Sequence, residues 1–462
     1  MAEPERTIWA RHALTADGWQ SGVSITLNSA GEISSLRSNQ PECDKANSTT
    51  RTGLLLPAVA NLHSHAFQRA MAGMSELRGP DSRDSFWTWR QLMYAFLQHL
   101  TPDDLESIAA FGQIEMLESG YASVGEFHYL HHQPNGHCYT NRAEMCERIV
   151  AAANSSGIGL TLLPVLYEQG GCDGRALTGG QKRFGHTIDE FAHLYSRAKQ
   201  LIKLLPQMNI GIAPHSLRAV SQSSLSEAVA LADGQPFHIH IAEQDAEVTE
   251  VQSAWHARPV EWLLANQPVD ASWCLVHATQ MLEHETEQLA GFNAVVGLCP
   301  ITESNLGDGI FDGMRYQEQS GAWGIGTDSN IRISLSEELR TLEYSQRLKN
   351  NGRAILAEEN RSTGRVLFDN ATAGGAQALQ RHSGALAVGR MGDMMALDLE
   401  SSSFVAVDGD QWLDAWIFAN DDRLITDVWS AGNHLVKDGR HIARDTIERR
   451  YRNTLLALRQ KL

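Results

Sequence analysis

Between residues 55 and 330, short apolar runs alternate with longer segments whose apolar residues recur at helical spacing. The runs are LLPAVANLH, YASVGEF, GIGLTLLPVLY, NIGIAPH, PFHIHIAE, SWCLVHA, AVVGLCP and WGIGTDS. Between them lie stretches such as PDDLESIAAFGQIEMLES, IDEFAHLYSRAKQLIKLL, SLSEAVALA and PVEWLLAN. Parallel strands need a crossover long enough to hold a helix, so this alternation signals repeated βα units. Eight strands in order predict an α/β fold, a (β/α)8 TIM-like barrel over residues 57–375.

The two ends have a different texture. Residues 1–56 read as short strands: TIWARHAL, a turn at Asp17-Gly18, GVSITL, a turn at Ala30-Gly31, then EISSL. After about residue 375 strands return in GALAVGRMGDMMALDLES, LITDVWSAG and HLVKDGRHIA, and an amphipathic helix ends the chain. Segments 1–56 and 376–462 are expected to assemble one small β-sandwich domain beside the barrel.

Composition narrows the partners. The 462 residues are 42 % hydrophobic, enough for a large core, and carry a formal charge of −17. That balance argues against nucleic-acid and anionic-membrane partners, which need basic surfaces. An anionic small-molecule substrate would require arginines placed at the site itself. The N-terminus has no long apolar stretch and no segment reaches the ~18–20 apolar residues of a membrane span. Six scattered cysteines with no CxxC pair disfavour a disulfide framework and a paired-thiolate zinc site. A cytoplasmic setting is expected.

The chemistry lies where polar residues close the apolar runs. Active sites of (β/α)8 barrels sit at the carboxyl ends of the strands. Here His63 and His65 follow the first run, His240 lies on the fifth, His277 closes the sixth and Asp328 the eighth. In extended chain, residues i and i+2 point the same way, so both histidines of His63-Ser64-His65 can reach one ion. His238 and His240 repeat that spacing. His240 is nearer the carboxyl end, and Glu243 lies three residues beyond, able to move protons without ligating. His238 sits deeper and reads equally well as a hydrogen-bonded interior histidine. His277 is either a ligand or an acid/base beside the ion. Asp328 is either a ligand or the N-cap of the helix that follows.

The ordered set of His-x-His after strand 1, His-x-x-Glu on strand 5, His after strand 6 and Asp after strand 8 resembles the amidohydrolase superfamily. Within it, the match is to the aminohydrolase (deaminase) branch. The likeness spans nearly the whole chain, including a Gly-x-Leu-x-x-Gly-x-x-x-Asp tail motif at Gly384–Asp393. It implies His63, His65, His240 and Asp328 as metal ligands, Glu243 as proton shuttle and His277 as an acid/base beside the metal, with Asp328 also serving catalysis. The end of strand 4, GIAPHSLRAV, lacks the lysine or acid with which two-metal relatives bridge their ions, so one divalent cation is expected. Zinc is the first choice, while iron(II) and manganese(II) accept the same His3Asp set.

A finer likeness, carried by NLHSHAFQRAMAGM, DSFWTWRQLMY, EFHYLHH, APHSLRAV, HIHIAEQ, CPITESNLGDGIF and GTDSN, is to the formimidoylglutamate deiminases. It implies hydrolytic deamination of a formimino group on a dicarboxylic acid, in histidine degradation, by a homodimer. Arg90 and Arg218 are candidates to grip carboxylates bidentately. Gln68, Tyr129 and His215 are implied to line the substrate pocket. Each has a plainer reading: Arg90 as a solvated helix charge, Tyr129 as a core aromatic, His215 as a structural strand-end histidine. Arg69, Arg78 and Arg83 compete for the arginine role. Competing functions are deaminases of guanine, cytosine, S-adenosylhomocysteine or chlorotriazines, whose flat rings would favour aromatic walls over arginines. A non-catalytic barrel scaffold would have lost ligands, and none is missing here.

Overall fold

The computed structural model describes residues 6–42, 49–76, 86–203, 205 and 207–461. Each of the eight apolar runs contains a parallel strand: Val59–Ser64, Tyr121–His128, Gly159–Leu166, Met208–Ile210 continued by Ala213–Pro214, Phe237–Ile241, Trp273–His277, Val295–Leu298 and Ala322–Ile325. Strands one to four and five to eight form two hydrogen-bonded sets. Single bridges Ile212↔Phe237 and Ser216↔His240 join the fourth strand to the fifth, and Ser64↔Asp328 joins the eighth back to the first. The (β/α)8 barrel is therefore closed, and closure leaves no exposed strand edge. The break in the fourth strand falls at Gly211, where a Cβ would come within 2.2 Å of the Pro236 carbonyl oxygen.

Closure is reinforced beside the future site. Asn61 donates to Thr327 Oγ1 at 2.7 Å, Thr327 donates to Asn330 Oδ1 at 2.6 Å, and Asn330 donates to Ser64 Oγ and the His65 carbonyl at 3.1 and 3.2 Å. These buried bonds fix the first strand against the eighth, and low dielectric strengthens them.

The helix Pro102–Glu118 begins with Thr101 accepting from Asp104 N and Asp104 accepting from Thr101 N, which satisfies two otherwise orphaned donors. The helix Thr363–Ala378 covers strands one and eight from outside the sheet. It can do so because Gly374 and Gly375 have no side chain: a Cβ at Gly374 would lie 1.9 Å from the Trp323 carbonyl oxygen. The barrel thus runs to residue 378, three residues past the boundary read from the sequence, since this helix continues as one packed unit.

Both ends of the chain meet in one mixed eight-stranded sheet, in the order Arg440–His441, Asn433–Lys437, Ile425–Ser430, Met394–Leu397, Thr49–Pro57, Arg6–Thr15, Gly18–Leu27, Ile33–Arg37. Thr49–Pro57 is the seam, parallel to Arg6–Thr15 and antiparallel to Met394–Leu397. The sheet folds over its own core, which includes Ile8, Val23, Ile25, Leu55, Met394 and Trp429. Backbone bonds such as Ile33 N to Arg390 O and Gly432 N to Gly392 O close that fold. Asp393 of the tail motif is structural: it pairs with Arg381 and accepts from Ala431 N at 2.7 Å. The final helix is Arg444–Arg459. Among the described residues no helix is long and apolar enough to cross a membrane.

Candidate metal and substrate site

Strands one, five, six and eight deliver His63, His65, His240, His277 and Asp328 to one rim of the barrel. His277 and Asp328 sit at φ +73° and +46°, a left-handed backbone that costs non-glycine residues of order 1–3 kcal/mol and persists where surrounding structure enforces it. This turn ends each strand. Asp328 is not a helix cap, because Ser334 caps the following helix by accepting from Glu337 N.

Four donor atoms, from His63, His65, His240 and Asp328, lie within 4.8 Å of one another. His63 Nε2 is 3.2 Å from His65 Nε2 and 3.1 Å from His240 Nε2. Asp328 Oδ1 is 3.4 Å from His63 Nε2 and 3.2 Å from His65 Nε2. A tetrahedral set held ~2.1 Å from a central ion would space its atoms roughly 3.4 Å apart.

The proton inventory makes the same point. His65 Nδ1 and His240 Nδ1 each face a carbonyl oxygen, of Phe127 and His215, at 3.0 Å, so those nitrogens carry the hydrogen. Their Nε2 atoms then present bare lone pairs. Burial pushes the His63 pKa down to about 3 and lowers those of His65 and His240, keeping the rings neutral. Burial opposes ionisation of Asp328, but His63, His65 and His277 outweigh it and lower its pKa. His63 could donate to one neighbour only, so the remaining lone pairs and the carboxylate would repel. A cation resolves that repulsion. The residues fit a divalent metal.

Glu243 and His277 stand beside this cluster. His277 Nε2 lies 3.9 Å from Glu243 Oε1 and 3.8 Å from Asp328 Oδ2, beyond direct hydrogen bonding but facing both carboxylates. Burial pushes the Glu243 carboxyl up to about 7, with Asp328 and Glu247 adding repulsion and His277 and Arg218 opposing it. Burial alone would lower the His277 pKa, yet Glu243, Glu303 and Asp328 raise it well above the ordinary value.

These groups line one pocket together with Gln68, Arg90, Tyr129, His215 and Arg218. Gln68 Nε2 donates to Tyr129 Oη at 2.8 Å. Arg90, on the helix Phe86–Leu97, donates from Nε to Tyr94 Oη at 2.7 Å and from Nη2 to Tyr167 Oη at 3.1 Å. Burial works against the Arg218 charge, but Glu247, Tyr167, Glu243 and Glu250 hold its pKa above the usual value. His215 feels both arginines and both His65 and His63. The eleven residues given a metal, catalytic or pocket role in the sequence therefore gather here, with His63 behind the exposed wall.

Other candidates lie elsewhere. Arg69 is engaged by Glu115 through Nε and Nη2 at 2.6 and 3.0 Å. Arg78 and Arg83 fall outside the described residues. His238 Nε2 donates to the Ala378 carbonyl at 2.9 Å, so it ties its strand to the covering helix.

Sequence reasoning passed over Glu303. It accepts from His277 Nδ1 at 3.2 Å, which turns His277 Nε2 toward the pocket. Its signal was an acid three residues beyond Pro300, where the run AVVGLCP closes. Tyr94 and Tyr167, which hold Arg90, were also passed over; their signals were the i, i+4 spacing from Arg90 on one helix and the close of the third apolar run.

A profile of the amidohydrolase family matches residues 54–435, and the chain belongs to that family. A second profile, the N-terminal domain of the formimidoylglutamate deiminase HutF, matches residues 5–41. A formimidoylglutamate deiminase of Pseudomonas aeruginosa is 43 % identical over 446 residues, 96 % of this chain and 97 % of that one. A 5-methylthioadenosine/S-adenosylhomocysteine deaminase of Shouchella clausii is 25 % identical over 83 % of this chain and 81 % of its own. The crystal structure of an amidohydrolase from Brucella melitensis superposes with a TM-score of 0.93 at 43 % identity, covering 98 % of this chain and 99 % of that one.

Proposed function

We propose that this protein is a metal-dependent deiminase that hydrolyses N-formimino-L-glutamate to N-formyl-L-glutamate and ammonia. The observation that carries the reading is one pocket holding both a lone-pair cluster built for a cation and two arginines, Arg90 and Arg218. The Pseudomonas aeruginosa relative, similar over nearly the full length of both chains, supports the choice of substrate.

His63, His65, His240 and Asp328 would hold one divalent ion, zinc by preference for this nitrogen and oxygen set. When bound, such an ion lowers the pKa of a coordinated water toward ~7 and so supplies a nucleophile at neutral pH. His277 and Asp328 orient the water between them. Glu243, poised near neutrality, takes a proton from it as its oxygen bonds the formimino carbon. Glu243 then delivers that proton to the terminal nitrogen of the tetrahedral adduct. As the carbon–nitrogen bond breaks, the adduct's hydroxyl gives its remaining proton to Asp328, the formyl carbonyl forms and ammonia leaves. Arg90 and Arg218 receive the substrate carboxylates, and Gln68, Tyr129 and His215 complete the wall.

The same reading makes the protein a cytoplasmic homodimer in histidine degradation, acting on a small anionic substrate without nucleic-acid or membrane partners. Ammonia release from N-formiminoglutamate, from guanine and from S-adenosylhomocysteine, with and without a chelator, tests it. Release from the first alone, abolished by chelation and restored by zinc, is the expected result. Turnover of a purine in its place would overturn the substrate.

A further inference from the structure

A second set of ligating side chains lies behind the second barrel strand, in the segment EFHYLHH that the catalytic reading leaves mostly unused. His128 closes that strand, His131 follows in the loop, and Cys146 lies in the helix Glu144–Ser156. They are 2 %, 1 % and 0 % exposed. One ligand atom from each lies within 4.8 Å of the other two, and the rings of His128 and His131 sit 5.1 Å apart, edge to face.

The donor pattern repeats that of the catalytic cluster. His131 Nε2 faces the Val165 carbonyl at 3.2 Å, so it carries the hydrogen and Nδ1 keeps its lone pair. That Nδ1 has no hydrogen-bond partner among the described residues, and neither has His128 Nε2. Two buried imidazole nitrogens without partners cost free energy unless something is bound there. The His131 tautomer is set by a backbone bond on the far side of its ring, the arrangement that orients metal-ligating histidines. The third group is a cysteine sulfur.

We propose that His128, His131 and Cys146 form a second metal site, distinct from the catalytic one, that takes a soft cation such as zinc(II) or copper(I). Thiolate with imidazole selects this class over magnesium or calcium. Binding forms the sulfur–metal bond and releases the Cys146 thiol proton to solvent, while both imidazoles enter neutral. A route exists. His131 packs against His186 with rings 4.6 Å apart, and His186 lines a surface pocket that also carries Glu168 and Glu190. Tyr129 lies between the two histidine ligands and lines the substrate pocket, so an ion here would brace the loop that carries it.

The test uses the full chain, stripped of metal and then loaded with cobalt(II) as a spectroscopic probe. The catalytic ligands include no sulfur, so thiolate-to-cobalt charge-transfer absorption reports this site. The expected result is that absorption together with about two metal equivalents per chain, falling to about one with loss of the absorption in Cys146→Ser. Where Cys146→Ser does not fold, His128→Gln replaces it with the same expected loss. A folded wild-type chain that binds one equivalent without the absorption overturns the proposal, as does absorption that survives Cys146→Ser. Separate titrations with zinc(II) and with copper(I), each against a chromophoric chelator, distinguish the two ions.

Discussion

The two sides of the pocket are built by different means. On the ligating side, every group stands at the end of a barrel strand or within three residues of one, and backbone bonds on the far side of the rings set its aim. On the arginine side, Arg90 comes from a helix outside the barrel and Arg218 from a loop, and Arg90 is held by the hydroxyls of Tyr94, one turn along its own helix, and Tyr167, just past the third strand. Strand ends are rigid and recur at fixed places, which suits chemistry that tolerates little displacement. Loops and added helices can change without disturbing the barrel, which suits the choice of substrate. Proton transfer and metal affinity should therefore depend on the first side, and recognition of the diacid on the second.

The largest expected effect is on the ligating side. Glu243→Gln should lower kcat by about 10²–10⁴-fold, the usual worth of a positioned acid/base, while metal content stays at the wild-type level. Steady-state rates paired with metal analysis check this, and near-normal turnover would remove Glu243 from its role. Next, Arg218→Met should cost about 2–5 kcal/mol in kcat/KM for the diacid, roughly 30-fold or more, by leaving a substrate carboxylate unpaired. An equal loss with a substrate lacking that carboxylate would show that the two sides are not separable.

Glu303→Gln should be milder, lowering kcat about 10- to 100-fold with KM little changed. Its carboxylate only orients His277, and partners that orient metal-site imidazoles cost about this much when removed. A KM effect instead would place Glu303 with substrate recognition.

The smallest effect is on stability. Burial pushes the Glu126 carboxyl up to about 8, and its Oε1 accepts from Ala66 N at 2.8 Å beside the ligating strand end. The folded chain thus keeps a proton that the unfolded chain loses above 4.5, so this contribution to stability falls as pH rises from there through about 8. Glu126→Gln should remove that part of the slope, and Tm measured across the window in both proteins should converge at the acid end and separate toward pH 8. Parallel curves would exclude a titrating Glu126.

Legibility followed the same division. His63, His65, His240, His277 and Asp328 could be read from the chain because each lies at or near the end of an apolar run, and a run's end is the barrel's rim in any closed (β/α)8 arrangement. Glu303 was readable in principle, since it lies in the first turn of the helix after the seventh strand, but an acid in a first helical turn is common for dipole reasons alone. Tyr94, one helical turn after Arg90, and Tyr167, at the close of the third run, stood at readable places, but nothing local tells that both hydroxyls meet one guanidinium.

What the chain determined by itself was periodic: the order of strands and helices, the terminal sheet segments, and which polar residues interrupt the apolar pattern at strand ends. Only the folded barrel decided that Asp328 faces the histidines while Ser334 caps the helix, that Arg69 is engaged by Glu115, and that His238 reaches the Ala378 carbonyl. The reason is physical. Periodicity is a local property of a few successive residues, whereas pairing of charges and lone pairs depends on distances between segments that lie up to hundreds of residues apart.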